Sequence, residues 1–368
     1  MRVIFISILL STIISCSVDK LDDKNHIVTN FVNSNDSHLQ YMGRNEQTDS
    51  LTNLFWSGSS IKIEFESSEI SAILDDENGK NFFNIILDND SIILLNLDPN
   101  KKAYLLASKL SAGKHTIQIF KRTEWTKGKT SFYGFKLDEK SKVYKIPKKK
   151  LAIEFYGNSI TSGYAVENYS GNDSPDSIYT NNYNSYANIV AQYLDADYKC
   201  ISRSGIGITI SWFDMIMPDM YNRLDPTDKN SIWDFNKSNP DIVVVNLFQN
   251  DQYILNKPNF YQFKKRFGDK APSDEFISNA YKDFLISIRK EYPNTNIICV
   301  LGNMEITKKD SKWPAIVTSA IERLKDNNIY YTFIPYKKTP GHPKIEEQKI
   351  IADSLISFIN RNDLINKY

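Results

Sequence analysis

The stretch FYGNSITSGY, residues 155–164, sets Ser159 directly after an apolar run and among small polar neighbours. A serine hydroxyl is a weak nucleophile until an adjacent base removes its proton, and histidine is the base suited to neutral pH. Of the four histidines, His342 is the one that falls in the C-terminal region of alternating strands and helices, just before Pro343, a residue type favoured at the first helical position. A serine and a histidine brought together would perform acyl transfer, which also needs donors aimed at a developing oxyanion. Three are at hand: the backbone N–H of Ser159, Gly205 in RSGIG, and the side-chain amide of Asn250 in FQND. Singly these residues are a cap, a turn glycine and a turn Asn-Asp pair. Taken in order, at successive strand ends, they form a constellation. With one histidine in this region and no HxxxH or Cys/His spacing, no metal site and no cofactor is expected.

The elements that must position these residues follow from periodicity. Apolar runs at 151–156, 241–247, 297–301 and 330–334 alternate with helical stretches at 185–194, 274–292, 314–325 and 343–359. Such an order specifies a mainly parallel sheet with helices on both faces, an α/β fold in three layers. Ligands bind beyond the carboxyl ends of strands in these sheets, and Ser159 lies just past one. From 41 to 144 the pattern differs. Short alternating runs at 60–65, 82–87, 115–120 and 131–135 are separated by turn formers at 88–90, 98–100 and 111–113, which predicts an antiparallel β-sandwich. His115 alternates within one of these strands and is read as a structural or surface residue. A basic, proline-bearing joint at 141–150 divides a sandwich domain, 41–146, from an α/β domain, 150–368.

Composition narrows the partners. Lysine plus arginine, 45, nearly balances aspartate plus glutamate, 44, so no global field exists to hold nucleic acid or an anionic membrane. At the N-terminus Arg2 precedes an apolar stretch at 3–14, about 12 residues where roughly 20 are needed to span a bilayer. That length suits an export signal over 1–15. The following Cys16 resembles the acylation site of bacterial lipoproteins, with 16–40 as a polar tether, so the membrane is expected to be met only through a lipid anchor and the protein to reside in the cell envelope. Cys200 and Cys299 sit in apolar runs and are read as buried thiols. The residues carry no signal for an oligomeric state.

GNSIT (157–161), SGIG (204–207), QND (249–251) and GHP (341–343) resemble the four blocks of SGNH, or GDSL-type, hydrolases. The resemblance implies Ser159 as nucleophile, His342 as general base, and Ser159, Gly205 and Asn250 as oxyanion donors. GR (43–44), FWSGSSI (55–61), YLLASKL…GKH (104–115) and KRTE (121–124) are similar to the jelly-roll-like sandwich that precedes this domain in carbohydrate esterase family 2, whose members remove acetyl groups from polysaccharide hydroxyls without metal. The implied partner is an acetylated saccharide such as acetylxylan or mannan. Three positions depart from the pattern. Asn158 stands where many relatives have aspartate, Phe248 where glycine is common, and Thr339 where an aspartate usually precedes the histidine by three residues.

Thr339 leaves His342 without its usual acidic partner, so the expectation is a Ser-His dyad oriented by a backbone carbonyl, with Asp214 and Asp219 as the acids whose contact to the ring would overturn it. Phe248, Trp212 and Trp313 are the expected saccharide contacts, since sugar rings present apolar faces to aromatics. Tyr164 and Trp233 lie in neighbouring segments. Two other readings stand beside the esterase: a saccharide-binding protein whose hydrolytic site has decayed, motivated by Thr339 and Phe248, and a short-chain lipase or acylhydrolase.

Overall fold

Alternation builds the first half of the chain. In strand Ser60–Glu66, Ile61, Ile63 and Phe65 are fully buried while Lys62, Glu64 and Glu66 remain partly exposed, the period-two pattern of a sheet with one covered face. Its antiparallel neighbour His115–Lys121 sets Ile117 opposite Ile63 and Ile119 opposite Ile61. The computed structural model describes residues 26–170 and 172–365. Within them the antiparallel domain has eleven strands. The long strand Thr130–Tyr144 joins its layers. Along one edge it pairs first with Glu69–Asp76 and then with Ser60–Glu66; along the other it pairs with Thr52–Leu54 and then with His26–Asn33. Val32, Phe65, Leu74, Phe83 and Phe132 fill the space between, each large side chain contributing about 1.5–3 kcal/mol of burial.

Two boundaries differ from expectation. The tether expected over 16–40 contains strand His26–Asn33, which is bonded to the long strand; residues 1–25, with the expected export signal and Cys16, lie outside the described residues. The joint expected at 141–150 begins only after Tyr144, because residues 141–144 continue the long strand.

The second half is a five-stranded sheet of order Ala196–Ser202, Leu151–Gly157, Ile242–Asn246, Asn296–Leu301, Ile329–Phe333, every pair parallel. Strand Ile242–Asn246 is buried along its whole length, as a central parallel strand covered on both faces must be. Its alternate residues serve two cores. Val243 and Val245 pack with Tyr281 and Leu285 of helix Asp274–Glu291 and Val317 of helix Trp313–Glu322. Val244 packs with Val190 of helix Tyr186–Tyr193 and Leu355 of helix Ile345–Arg361. Pro343 lies two residues before that last helix, whose N-cap is Lys344 with Glu347 closing back on its N–H, so the expected first-turn proline is in the entering segment instead. Cys200 and Cys299 are free and buried, and burial pushes the Cys299 thiol up to about 12.

The first strand, Leu151–Gly157, is followed in sequence by Ala196–Ser202 on one side of it and then by Ile242–Asn246 on the other. Chain direction across the sheet reverses there. Ser159, Gly205 and Asn250 each follow the carboxyl end of one of these three adjacent strands, where such a reversal opens a crevice.

The two halves share a buried seam. The Arg44 guanidinium donates to Glu154 Oε1 at 2.9 Å with neither side chain exposed, to Tyr156 Oη, and to the carbonyls of Tyr221 and Arg223. Trp56 Nε1 donates to the Leu224 carbonyl at 2.8 Å.

Candidate active site

The nucleophile turn is built from small residues for steric reasons. A Cβ at Gly157 would stand 1.9 Å from Thr161 Oγ1, so a side chain there would displace the turn. Asn158 caps the one-turn helix Ser159–Ser162, its Oδ1 accepting the Ile160 N–H at 3.0 Å. This is the work of the departure from aspartate: an amide oxygen caps as a carboxylate would. Gly163 closes the turn at φ +73°, a left-handed conformation that favours glycine. Ser162 Oγ donates to Ser202 Oγ at 2.8 Å, tying the turn to the neighbouring strand.

His342 arrives from the segment after strand Ile329–Phe333, and its Nε2 lies 2.7 Å from Ser159 Oγ. On the other side of the ring Nδ1 lies 2.6 Å from Asp173 Oδ2. The expected dyad is therefore corrected: an acid does face His342, and it is neither Asp214 nor Asp219. Asp214 is exposed and paired with Lys265, and Asp219 accepts the Ile216 N–H. Thr339, in the usual aspartate position, is engaged by Lys337 and bonded to Glu347. Asp173 reaches the same ring nitrogen from the loop that follows the nucleophile turn.

Asp173 is held by more than the ring. The His342 backbone N–H donates to both carboxylate oxygens, and Lys344 Nζ donates to Oδ1 at 3.1 Å. Partial burial alone would push this carboxyl up. The His342 ring and backbone N–H, with the Lys344 ammonium, more than offset it and hold the group well below the usual carboxylate range. An ionised carboxylate can only accept, so the imidazole proton sits on Nδ1 and the Nε2 lone pair faces the Ser159 hydroxyl. Tyr164 closes one side, its ring edge-on to the imidazole at 4.9 Å.

Gly205 has φ +86°, the left-handed region, and its carbonyl accepts the Trp212 N–H at 3.0 Å. Among the described residues neither the Ser159 N–H nor the Gly205 N–H has an internal acceptor. Asn250 is oriented by partners of opposite kind: Trp212 Nε1 donates to its Oδ1 at 3.0 Å and its Nδ2 donates to the Ile206 carbonyl at 2.8 Å. An indole can only donate and a carbonyl can only accept, so the amide cannot be turned over, and the second N–H on Nδ2 is left for a ligand. Asp251 is fully buried and accepts from the N–H groups of Ile208, Thr209 and Ile210 and from the Thr209 hydroxyl. Burial pushes its carboxyl up against those donors. It braces the loop beyond Gly205, a role the QND motif does not reveal.

Of the three expected saccharide contacts, two are corrected. Phe248 is fully buried at φ +75°, its ring 4.8 Å from Tyr281 and 5.0 Å from Trp313, which is itself 4% exposed. Both rings are core. The left-handed backbone at 248 explains why glycine is common there. Trp233 is also buried, beneath the Arg44 guanidinium. Trp212 keeps 39% of its surface exposed beside Tyr253 and Phe260, and it alone of the three presents a ring to solvent next to Asn250. No group of three or more His, Cys, Asp or Glu among the described residues could hold a metal ion.

Comparison with known proteins adds to this geometry. Residues 41–147 match the family model described as carbohydrate esterase 2 N-terminal. The chain is 30% identical over 316 residues to cellulase/esterase CelE of Acetivibrio thermocellus, covering 83% of this chain and 37% of that protein; it thus spans little more than a third of that relative's length. It is 23% identical over 338 residues to an acetylxylan esterase / glucomannan deacetylase of Cellvibrio japonicus, covering 89% of each. Among solved structures, a family two carbohydrate esterase from Clostridium thermocellum in complex with cellohexaose superposes with TM-score 0.79 at 27% identity over 89% of this chain and all of that one. A family two carbohydrate esterase from Cellvibrio japonicus shares the fold, with TM-score 0.81 at 20% identity over 93% of this chain and all of that one.

Proposed function

Because this chain belongs to carbohydrate esterase family 2, an SGNH-type fold behind that family's N-terminal domain, we propose that it is a serine esterase removing acetyl groups from the hydroxyls of a polysaccharide or oligosaccharide. The observation that carries the reading is the continuous hydrogen-bonded relay from Asp173 through His342 to Ser159.

Ser159 Oγ attacks the acetyl carbonyl carbon while His342 Nε2 takes its proton. The proton on Nδ1 stays shared with Asp173, whose negative charge stabilises the imidazolium. The carbonyl oxygen becomes an oxyanion that accepts from the N–H groups of Ser159 and Gly205 and from Asn250 Nδ2, donors of which one alone is typically worth about 10²–10³ in rate. Collapse breaks the bond to the sugar oxygen, which receives the proton from Nε2, and leaves Ser159 acetylated. Water, deprotonated by Nε2, then attacks the acetyl carbon; acetate departs and the serine regains its proton.

The names of the relatives suggest the substrates: acetylated xylan and glucomannan, with the sugar beside Trp212. The two departures that motivated a decayed site are compatible with catalysis: Asp173 stands in for the acid missing at Thr339, and Phe248 is a core residue. Ser159→Ala should leave the fold intact and abolish acetate release from acetylated xylan and glucomannan, measured beside acetyl and octanoyl aryl esters. Acetate release persisting in that variant removes Ser159 from the mechanism, and a preference for octanoyl over acetyl favours a lipase.

A further inference from the structure

The segment between strands His115–Lys121 and Thr130–Tyr144 belongs to the β-sandwich, yet it reaches across to the α/β half. Arg122 is paired with Glu167 and donates to the Ile178 carbonyl at 2.9 Å, and the Asn182 N–H donates back to the Arg122 carbonyl. Two residues on, Glu124 is 5% exposed, and its Oε1 accepts both the backbone N–H of Ser204 at 2.6 Å and the Ser204 hydroxyl at 2.8 Å. Trp125 follows beneath the Arg203 guanidinium at 4.8 Å.

Ser204 is the residue before Gly205. The direction of the Gly205 N–H is fixed by the plane of the peptide joining the two, and that plane is set by what holds the chain on either side. On the far side the Gly205 carbonyl is held by the Trp212 N–H. On the near side the hold on the Ser204 N–H comes from Glu124 alone among the described residues. Gly205 lies at φ +86° with no side chain to wedge it in place, and glycine loses more conformational freedom on ordering than any other residue. The turn is closed by the Ile206 N–H on the Arg203 carbonyl at 3.3 Å and tied to the first strand by the Arg203 N–H on the Gly157 carbonyl at 3.4 Å, both long bonds; the two shorter bonds to the Glu124 carboxylate, at 2.6 and 2.8 Å, add the restraint at Ser204 itself.

We propose that Glu124 is a positioning residue for the reaction: through its double hydrogen bond to Ser204, the β-sandwich sets the aim of the Gly205 N–H at the oxyanion. The sandwich is on this account part of the reaction machinery as well as a neighbour to it. The inference rests on the esterase reading, so its test carries one arm that needs no turnover. Glu124→Ala, Glu124→Gln and the unaltered full chain are compared for kcat and KM on an acetyl aryl ester, and for the rate of stoichiometric Ser159 phosphorylation by a diethyl aryl phosphate, whose aryl alcohol leaves as the P–Oγ bond forms. Thermal midpoints are recorded alongside.

Loss of one aimed donor predicts a fall in kcat of about 10²-fold in Glu124→Ala, with KM within about twofold and a matching fall in phosphorylation rate. Glu124→Gln keeps an acceptor oxygen for Ser204 and should recover at least about tenfold of that loss. A Glu124→Ala chain that melts earlier yet keeps kcat and phosphorylation rate within about threefold has lost only a structural contact, which overturns the proposal. So does a loss equal in both variants. If the unaltered chain releases no acetate, the esterase reading fails, while the dependence of Ser159 phosphorylation on Glu124 still decides the inference. An unaltered chain that is not phosphorylated at Ser159 overturns both.

Discussion

Replacing Asp173 by asparagine tests the corrected site most directly, because the structure says what the amide must fail to do. Three donors converge on this carboxylate: His342 Nδ1, the His342 backbone N–H and Lys344 Nζ. Asparagine offers one oxygen in place of two. Turned toward Lys344, that oxygen leaves the amide N–H₂ facing Nδ1, which drives the ring proton onto Nε2, the atom that must accept from Ser159. Turned toward Nδ1, it sets the amide N–H₂ against the Lys344 ammonium, which keeps only the Ala165 carbonyl of its two acceptors. Losing a charged hydrogen bond costs about 1.5–3 kcal/mol, or about 10- to 150-fold in rate. The wrong tautomer adds to this, and in the serine-protease template the same exchange costs about 10⁴. Asp173→Asn should thus lower kcat for acetate release by about 10²–10⁴, and by at least as much as Asp173→Ala, which leaves the tautomer free. The carboxyl is held below its usual range. Its stabilising contribution is therefore complete above the unfolded value of about 3.9 and is lost only as pH falls from there toward the depressed folded value. The stability lost in the variant should then be constant above about pH 5 and shrink as pH falls below it, which chemical denaturation reads. The kcat deficit is measured by initial acetate release against a Ser159→Ala baseline, with Asp214→Asn and Asp219→Asn as controls that keep full activity. An Asp173→Asn enzyme within about threefold of the unaltered chain, or a control that loses as much, refutes the assignment.

Phe248→Ala should reduce stability by about 3–5 kcal/mol, the cost of deleting a buried phenyl ring, with KM for acetylated oligosaccharides unchanged. Chemical denaturation and saturation kinetics separate the two quantities, and a raised KM with unchanged stability would return the ring to the substrate. Cys16→Ala should shift the chain from the membrane fraction to the soluble fraction of the cell envelope, since lipid carried on Cys16 is the proposed anchor; fractionation with no difference between the two chains refutes lipidation at that position.

Ser159 and His342 are legible in the sequence because their neighbours obey strong periodicities: the apolar runs around 151–156 and 330–334 and the helical repeat after 343 leave little freedom in where each residue emerges. Asp173 is not. It lies in a loop of turn formers, with Glu167 and Asp176 close by in sequence, and nothing in spacing distinguishes the acid that closes back on a histidine 169 positions away. The one signal present, Thr339 where an acid is due, reads as an absence although the acid has only moved. Phe248 misleads for a related reason. An aromatic at a position where glycine is common looks like a change to the site's surface, but the backbone at φ +75° sends the ring into the core between Tyr281 and Trp313. Strand His26–Asn33 gives little sign of itself because only one of its residues, Val32, is buried. Its place is set by pairing with Thr130–Tyr144, a partner far away in sequence.

The seam between the halves bears on what the sandwich is for. Buried ion pairs are expensive to form, because desolvation can exceed the attraction, and in some proteins they serve to specify one arrangement over others. Here Arg44 meets Glu154 with neither exposed, and Tyr156 and Tyr292 hydroxyls share the same carboxylate. A loosely tethered binding module would need none of this. Its presence specifies a single docking of the sandwich on the first strand of the parallel sheet. From that fixed docking Arg122 and Glu124 reach the loops that flank Ser159 and Gly205. A carboxylate carried on a second domain can aim a peptide N–H only if the two domains do not slide, and the Arg44–Glu154 pair acts with the Trp56–Leu224 and Arg122–Glu167 contacts against sliding.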